Sequence, residues 1–247
     1  MASVSFGLMR FVLLAFALLC ACPVAAGPPY DTDDPEPTDT GQWELYLATS
    51  LDGLGDLYEG EEGLEVNYGP ARDVQVGIST PVAFSHNPST EAGLGDIELS
   101  AKYRFFNDEA SGLQLAVFPA FTLPTGNNGF SAGQVTGHLP VWAQWGKGKW
   151  SVFGGGGYQY NPGAGNRDFG YGGIAVTRDM TERLAIGFEA TREGPTAIGD
   201  RATTGLGAGM KWRLKAPLSL LLRGGPSFED GGGPADYHIY LALGLDF

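Results

Sequence analysis

The stretch that decides the fold is the last one, YHIYLALGLDF (residues 237–247). Its odd positions read Tyr237, Ile239, Leu241, Leu243, Leu245 and Phe247; its even positions read His238, Tyr240, Ala242, Gly244 and Asp246. Successive side chains of a strand point to opposite faces, so this segment has one wholly apolar face and one small or polar face.

Upstream the same rhythm recurs. Ile97, Leu99, Ala101, Tyr103 and Phe105 alternate with Asp96, Glu98, Ser100, Lys102 and Arg104. Leu206, Ala208, Met210 and Trp212 alternate with Gly205, Gly207, Gly209 and Lys211. Counting such segments predicts about 12 strands, at 42–51, 62–69, 73–84, 95–106, 113–123, 136–146, 149–160, 169–178, 183–193, 202–213, 217–227 and 237–247. Segments of about ten residues with period-2 hydropathy, separated by turns, are the signature of an antiparallel transmembrane β-barrel. The predicted class is all-β.

The connections agree. Those after even-numbered strands read as short, as at 146–149 and 179–182, and those after odd-numbered strands as longer. Alternating short turns and long loops place both termini on the periplasmic side. Trp43, Trp145, Trp150, Trp212 and Phe247 fall at one predicted rim, and Phe84, Phe121, Tyr160, Phe169 and Tyr237 near the other. Amphipathic rings belong at the two interfaces of a membrane.

Residues 1–26 read as a secretory signal: one charge at Arg10, an apolar run from Phe11 to Leu19, and small residues at Val24-Ala25-Ala26. Both cysteines lie in it, so thiol chemistry is absent from the exported chain. That chain carries 14 basic against 28 acidic residues, which excludes nucleic acid as a partner. Mean hydropathy of −0.07 does not separate a soluble protein from a barrel, since only alternate barrel residues touch lipid. Residues 27–41, GPPYDTDDPEPTDTG, form a Pro- and Asp-rich lead that disfavours helix and central strand. It reads either as a small lumen plug or as a solvated tail. Residues 42–247 form the barrel.

Three stretches carry a family resemblance: TDDPEP (Thr32 to Pro37) followed by GQWELYL (Gly41 to Leu47), GLGDIELSAKYRFF (Gly93 to Phe106), and the closing strand. Together these resemble the outer-membrane barrels named for the MetA pathway of phenol degradation. The resemblance implies a barrel and passage of small organic molecules, and it carries over no catalytic or binding residue. The terminal Phe247 resembles the signal read by the barrel-insertion machinery. Expected partners are therefore that machinery, outer-membrane lipid with lipopolysaccharide, and a small organic solute.

Charge on the luminal parity is the best functional material. Lumen-lining candidates are Glu98, Lys102, Arg104, Glu189, Lys211, Arg213 and Arg223. Ten of the basic residues fall toward the periplasmic end, among them Arg72, Lys102, Arg104, Lys147, Lys211 and Arg213. The outer loops are expected to hold Asp52, Asp56, Glu59, Glu61, Glu62, Asp168, Asp200, Glu229 and Asp230. Such a lumen would have an acidic outer mouth and a basic inner exit. Glu189 and Arg223 are expected to point inward at similar height, with only Gly205, Gly207 and Gly209 between them. These glycines precede no helix, so they are not a phosphate-binding loop. None of His86 (in an expected loop), His138 and His238 combines lipid-facing parity with a serine partner, and no nucleophile elbow occurs. The reading is therefore not an enzyme, with no cofactor and no metal site. The leading expectation is a channel for small molecules, aromatic or hydrophobic ones among them. The alternative is a structural or adhesive barrel with a filled lumen.

Overall fold

The computed structural model describes residues 29–127 and 129–247. The expected signal segment, residues 1–26, lies outside them. Fourteen extended segments follow in chain order: β1 (Trp43–Leu54), β2 (Leu57–Ala71), β3 (Val74–His86), β4 (Thr90–Leu94), β5 (Ile97–Asp108), β6 (Leu113–Val117) and β7 (Ala120–Leu123). The second half is β8 (Thr136–Lys147), β9 (Trp150–Tyr160), β10 (Phe169–Asp179), β11 (Leu184–Glu193), β12 (Thr203–Lys215), β13 (Leu218–Glu229) and β14 (Asp236–Asp246). Both β4 and β5 pair with β3, as two pieces of one wall strand. Likewise β6 and β7 together fill the place between β5 and β8. The wall thus has twelve antiparallel strands, and β1 closes it on β14 from Glu44↔Asp246 to Gly53↔Tyr237.

Burial is inverted relative to a water-soluble domain. Leu47, Val82, Leu99, Phe121, Phe188 and Leu241 are exposed, while Glu44, Asn67, Gln75, Lys102, Glu189 and Arg223 are buried. Large apolar side chains on the outside and charged ones within suit lipid outside and a polar lumen inside. The fold is a closed transmembrane β-barrel.

Two expectations are corrected. The connection after the first strand is not a long loop: β1 and β2 continue as a hairpin to Leu54↔Leu57, turning on Gly55 and Asp56. The Asp52 to Glu62 region is therefore mostly strand. His86 is the last residue of β3 and not a loop residue; its ring stacks on Tyr58 at 5.1 Å.

The wall interruption between β4 and β5 is covered by the connection between β7 and β8. Leu94 N–H donates to Asn127 Oδ1 at 2.7 Å, and Asn127 N–H returns to Leu94 O at 2.8 Å. Asp96 accepts from the Gly126 and Ala132 N–H groups at 2.9 and 2.8 Å. Backbone polar groups that lack a strand partner thus find one, as a membrane wall requires.

Leu241 sits at the centre of β14 on the outer face. Leu241→Arg is expected to destabilise the barrel by about 2–4 kcal/mol, the midplane cost of an arginine facing lipid. Reversible denaturant titration in liposomes would measure it.

Candidate functional site

The lead runs inside the barrel. It starts at the barrel end that holds the short turns and the C-terminus, where Gly41 N–H donates to Gly69 O at 2.7 Å and Gly69 N–H donates to Gln42 O at 3.1 Å. Gly69 permits this approach, because a Cβ there would fall 2.2 Å from Asp39 O. Further along, Gln75 Oε1 accepts from both the N–H and the hydroxyl of Thr38, at 2.8 and 3.0 Å. The prolines at 35 and 37 hold the segment extended and remove two donors that the lumen would otherwise have to satisfy.

Two ionic clusters fix the lead. In the first, Lys102 Nζ lies 3.0 Å from the Asp33 carboxylate and 4.0 Å from Asp34, donates to Glu36 O at 3.5 Å, and sits 4.7 Å over the Phe118 ring. The second is centred on Arg223, which is 2% exposed. Its Nε lies 2.5 Å from Glu189 Oε1 and its Nη2 lies 2.7 Å from Asp31 Oδ2. Glu189 also accepts the N–H groups of Asp31 and Thr32, at 3.4 and 3.1 Å. His238 bridges Asp31 and Asp52, at 3.5 and 2.6 Å.

The luminal glycines make room for these contacts. A Cβ at Gly207 would lie 2.7 Å from Arg223 Nε and 3.0 Å from Glu189 Oε1. One at Gly209 would meet the Tyr30 ring at 2.8 Å, and one at Gly173 would meet Thr32 Oγ1 at 2.2 Å. Tyr30 donates its hydroxyl proton to Gly209 O at 3.0 Å and packs against Phe153.

Other residues singled out by parity lie elsewhere. Arg104 is bound to Asp73 at 2.7 Å and to Gln114 at 2.8 Å, close to the turns. Arg213 donates to Glu182 O at 3.4 Å at the same end. Lys211 is within electrostatic range of Asp246, Asp34 and Glu44. Glu98 accepts from the Thr122 hydroxyl at 3.4 Å and faces a cavity.

That cavity is about 500 Å³, and a second of about 440 Å³ lies nearer the loop end, around Arg192 and His238. Seven carboxylates line the larger one: Asp31, Asp33, Glu36, Glu44, Glu65, Glu98 and Glu193. Among the described residues, Lys102 is its only lysine or arginine. This chamber is acidic, and the other basic residues expected near the inner exit lie below it. The lead carries its own carboxylates into the lumen and pairs with Lys102, while Arg104 and Arg213 are bound at the turns.

At the loop end, Arg192 grips the carboxylate of Asp230 and donates to Thr204 at 2.7 Å. The Arg192 hydrogen bonds hold the Asp230 carboxyl below its usual range. The connections 161–168 and 194–202 are tied by Asn161 Nδ2 to Thr196 O at 3.1 Å and by Ile198 N–H to Gly165 O at 2.7 Å. Among the described residues, no group of three or more His, Cys, Asp and Glu could hold a metal ion.

A family model described as "Putative MetA-pathway of phenol degradation" matches residues 30–235. The chain belongs to this family. The match begins within the lead, at Tyr30, so the family pattern includes the luminal segment as well as the wall. The fold is shared with an outer membrane channel of the COG4313 group from Pseudomonas putida F1, at 19% identity and TM-score 0.68, covering 88% of this chain and 100% of that one. The NanC porin shares it at 10% identity and TM-score 0.60, covering 81% and 98%. A barrel described as the CymD monoaromatic hydrocarbon channel follows at 8% identity and TM-score 0.51, covering 84% and 88%. No curated protein matches the chain in sequence.

Two outcomes test the docking of the lead. Gly173→Val is expected to expel Thr32 and expose the Tyr30 to Pro37 region to protease while the barrel stays folded, read by limited proteolysis in detergent. Arg223→Met should cost about 3–5 kcal/mol by leaving Glu189 buried without its cation, and adding Glu189→Met should recover much of it. Denaturant unfolding of the three variants checks this.

Proposed function

We propose that this chain is an outer-membrane channel for small organic solutes, closed at rest by its own lead. In this reading residues 1–26 direct export, the insertion machinery reads the strand ending in Phe247, and lipid with lipopolysaccharide surrounds the wall. The end that carries the short turns and the C-terminus faces the periplasm.

The observation that carries the reading is the way the lumen is filled. The cavities of about 500 and 440 Å³ both border the lead, the larger lined by Asp31 and Asp33 and the smaller by Asp31 and Thr32. The cavities are bounded by wall side chains such as Trp142 and Leu221 and by a peptide held by ion pairs and hydrogen bonds. Such contacts can exchange for water, whereas an interdigitated side-chain core cannot open without unfolding. Channels with the same fold, one of them described for monoaromatic hydrocarbons, support the solute class.

A second reading, a structural barrel with a permanently filled lumen, is favoured by the depth of the lead. Thr32 and Pro35 are each under 2% exposed. The two readings differ in what removal of the lead does. Refolded chain lacking residues 29–38 is expected to show severalfold higher conductance in planar bilayers than the chain with its lead, which should be mostly closed. A deletion variant that folds, by heat-modifiable gel mobility, and stays non-conducting would overturn the channel and leave the filled barrel.

A further inference from the structure

We infer that the larger luminal chamber is a binding site for small arylalkylamines, in which a protonated primary amine is carried on an aromatic body. This deepens the channel reading and rests on it.

The chamber has two unlike walls. On one, strand register sets Glu65 opposite Ser79 and Ser79 opposite Glu98, so both carboxylates stand on one luminal row across β2, β3 and β5. Glu44 lies beside Asn67 on the next row. These carboxylates are held by neutral partners: Glu65 by Asn67 at 2.7 Å, Glu98 by Thr122 at 3.4 Å and Glu44 by Tyr46 at 3.3 Å. Among the described residues none of the three has a cation within salt-bridge distance. Lys102, the chamber's own ammonium, is already matched by Asp33 and Asp34. The facing wall, from β8 and β10, presents Trp142 and Tyr171 to the same space.

An independent observation points to a missing donor. Asn67 is 3% exposed and lines the chamber, yet its Oδ1 has no hydrogen-bond partner, while its Nδ2 is used on Glu65. A buried acceptor left open can take one more donor, and a cationic donor would answer the neighbouring carboxylate as well. An ammonium brings three N–H groups and one charge, enough for the Glu65 and Asn67 oxygens together. Aromatic faces opposite would hold the ring and favour its cation. Lys102 shows the same chemistry within this lumen: its Nζ rests on a carboxylate and a carbonyl oxygen, over the Phe118 ring. A volume of about 500 Å³ suits a single-ring solute. A carboxylate on that ring would be repelled by the acidic wall.

The test is equilibrium binding to the full refolded chain in detergent, by calorimetry, with phenethylamine, 2-phenylethanol and phenylacetate as probes. Phenethylamine is expected to bind, the alcohol more weakly by about tenfold, and phenylacetate not at all. The Glu65→Gln/Glu98→Gln variant should lose about tenfold in amine affinity and keep its heat-modifiable mobility. Should that variant fail to fold, Glu65→Gln alone replaces it, with the same direction expected. Equal binding of the three probes by the unaltered chain, or unchanged amine affinity in the folded variant, overturns the inference. Because binding is read without transport, a chain that conducts but does not bind the amine overturns this inference alone. One that binds it and never conducts, with or without the lead, overturns only the channel reading.

Discussion

A backbone that crosses lipid must hydrogen-bond to itself, and this constraint shapes the rest of the molecule. It closes the sheet through β1 and β14, and it brings the connection after β7 over the break beside Asp96. It also creates a problem. Eight strands enclose a lumen that side chains can fill, and twelve enclose a wider one. Here the extra space is shared between a peptide and the cavities beside it. Luminal glycines on β10, β11 and β12 are the wall's side of that arrangement: their missing Cβ atoms are where Tyr30, Thr32 and the Arg223 side chain lie.

Charge pairing then decides what is rigid. Arg223 joins three chain regions, since Glu189 comes from β11, Asp31 from the lead and the guanidinium from β13. Nothing in that cluster is covalent, and the lead's part in it is one carboxylate and two N–H groups. The wall beside β2, β3 and β5 differs: among the described residues its Glu44, Glu65 and Glu98 have neutral hydrogen-bond donors and no cation within salt-bridge distance, Lys102 being taken by Asp33 and Asp34. The lumen thus holds its plug at Arg223 and at Lys102, and the carboxylates beside Lys102 are left for solute contacts.

Much of the architecture was legible because lipid enforces a strict period. The parity of residues 237–247 is the parity of β14, and the twelve wall strands follow from repeating that test. The period fails where lipid ends. Residues 52–62 read as a loop because Asp, Gly and Glu there meet water on both faces, so no alternation marks the hairpin that carries them. Parity also puts Glu189 and Arg223 on one luminal face, and the glycines between them signal that side chains can cross. The charge gradient read along the chain concerns the two ends and leaves the acidic chamber between them unread. Strand parity describes the wall alone, and it contains nothing about Asp31, Asp33 and Asp34 entering the lumen from the lead. For the same reason Glu44, Glu65 and Trp142 drew no notice: their significance comes from facing a cavity whose existence depends on where the lead lies. The spacing of acids in DTDDPE was the available clue, since it matches no regular element and supplies carboxylates for Lys102 and Arg223.

The central claim is that the lead occupies one defined place inside the barrel at rest. Distance measurement between nitroxide labels at Pro37→Cys, within the lead, and Lys147→Cys, at the end of β8, in liposomes addresses it directly. A single narrow distance distribution that broadens when Gly173 is enlarged is the predicted result. A broad distribution in the unaltered barrel, already matching that of the enlarged variant, would contradict it.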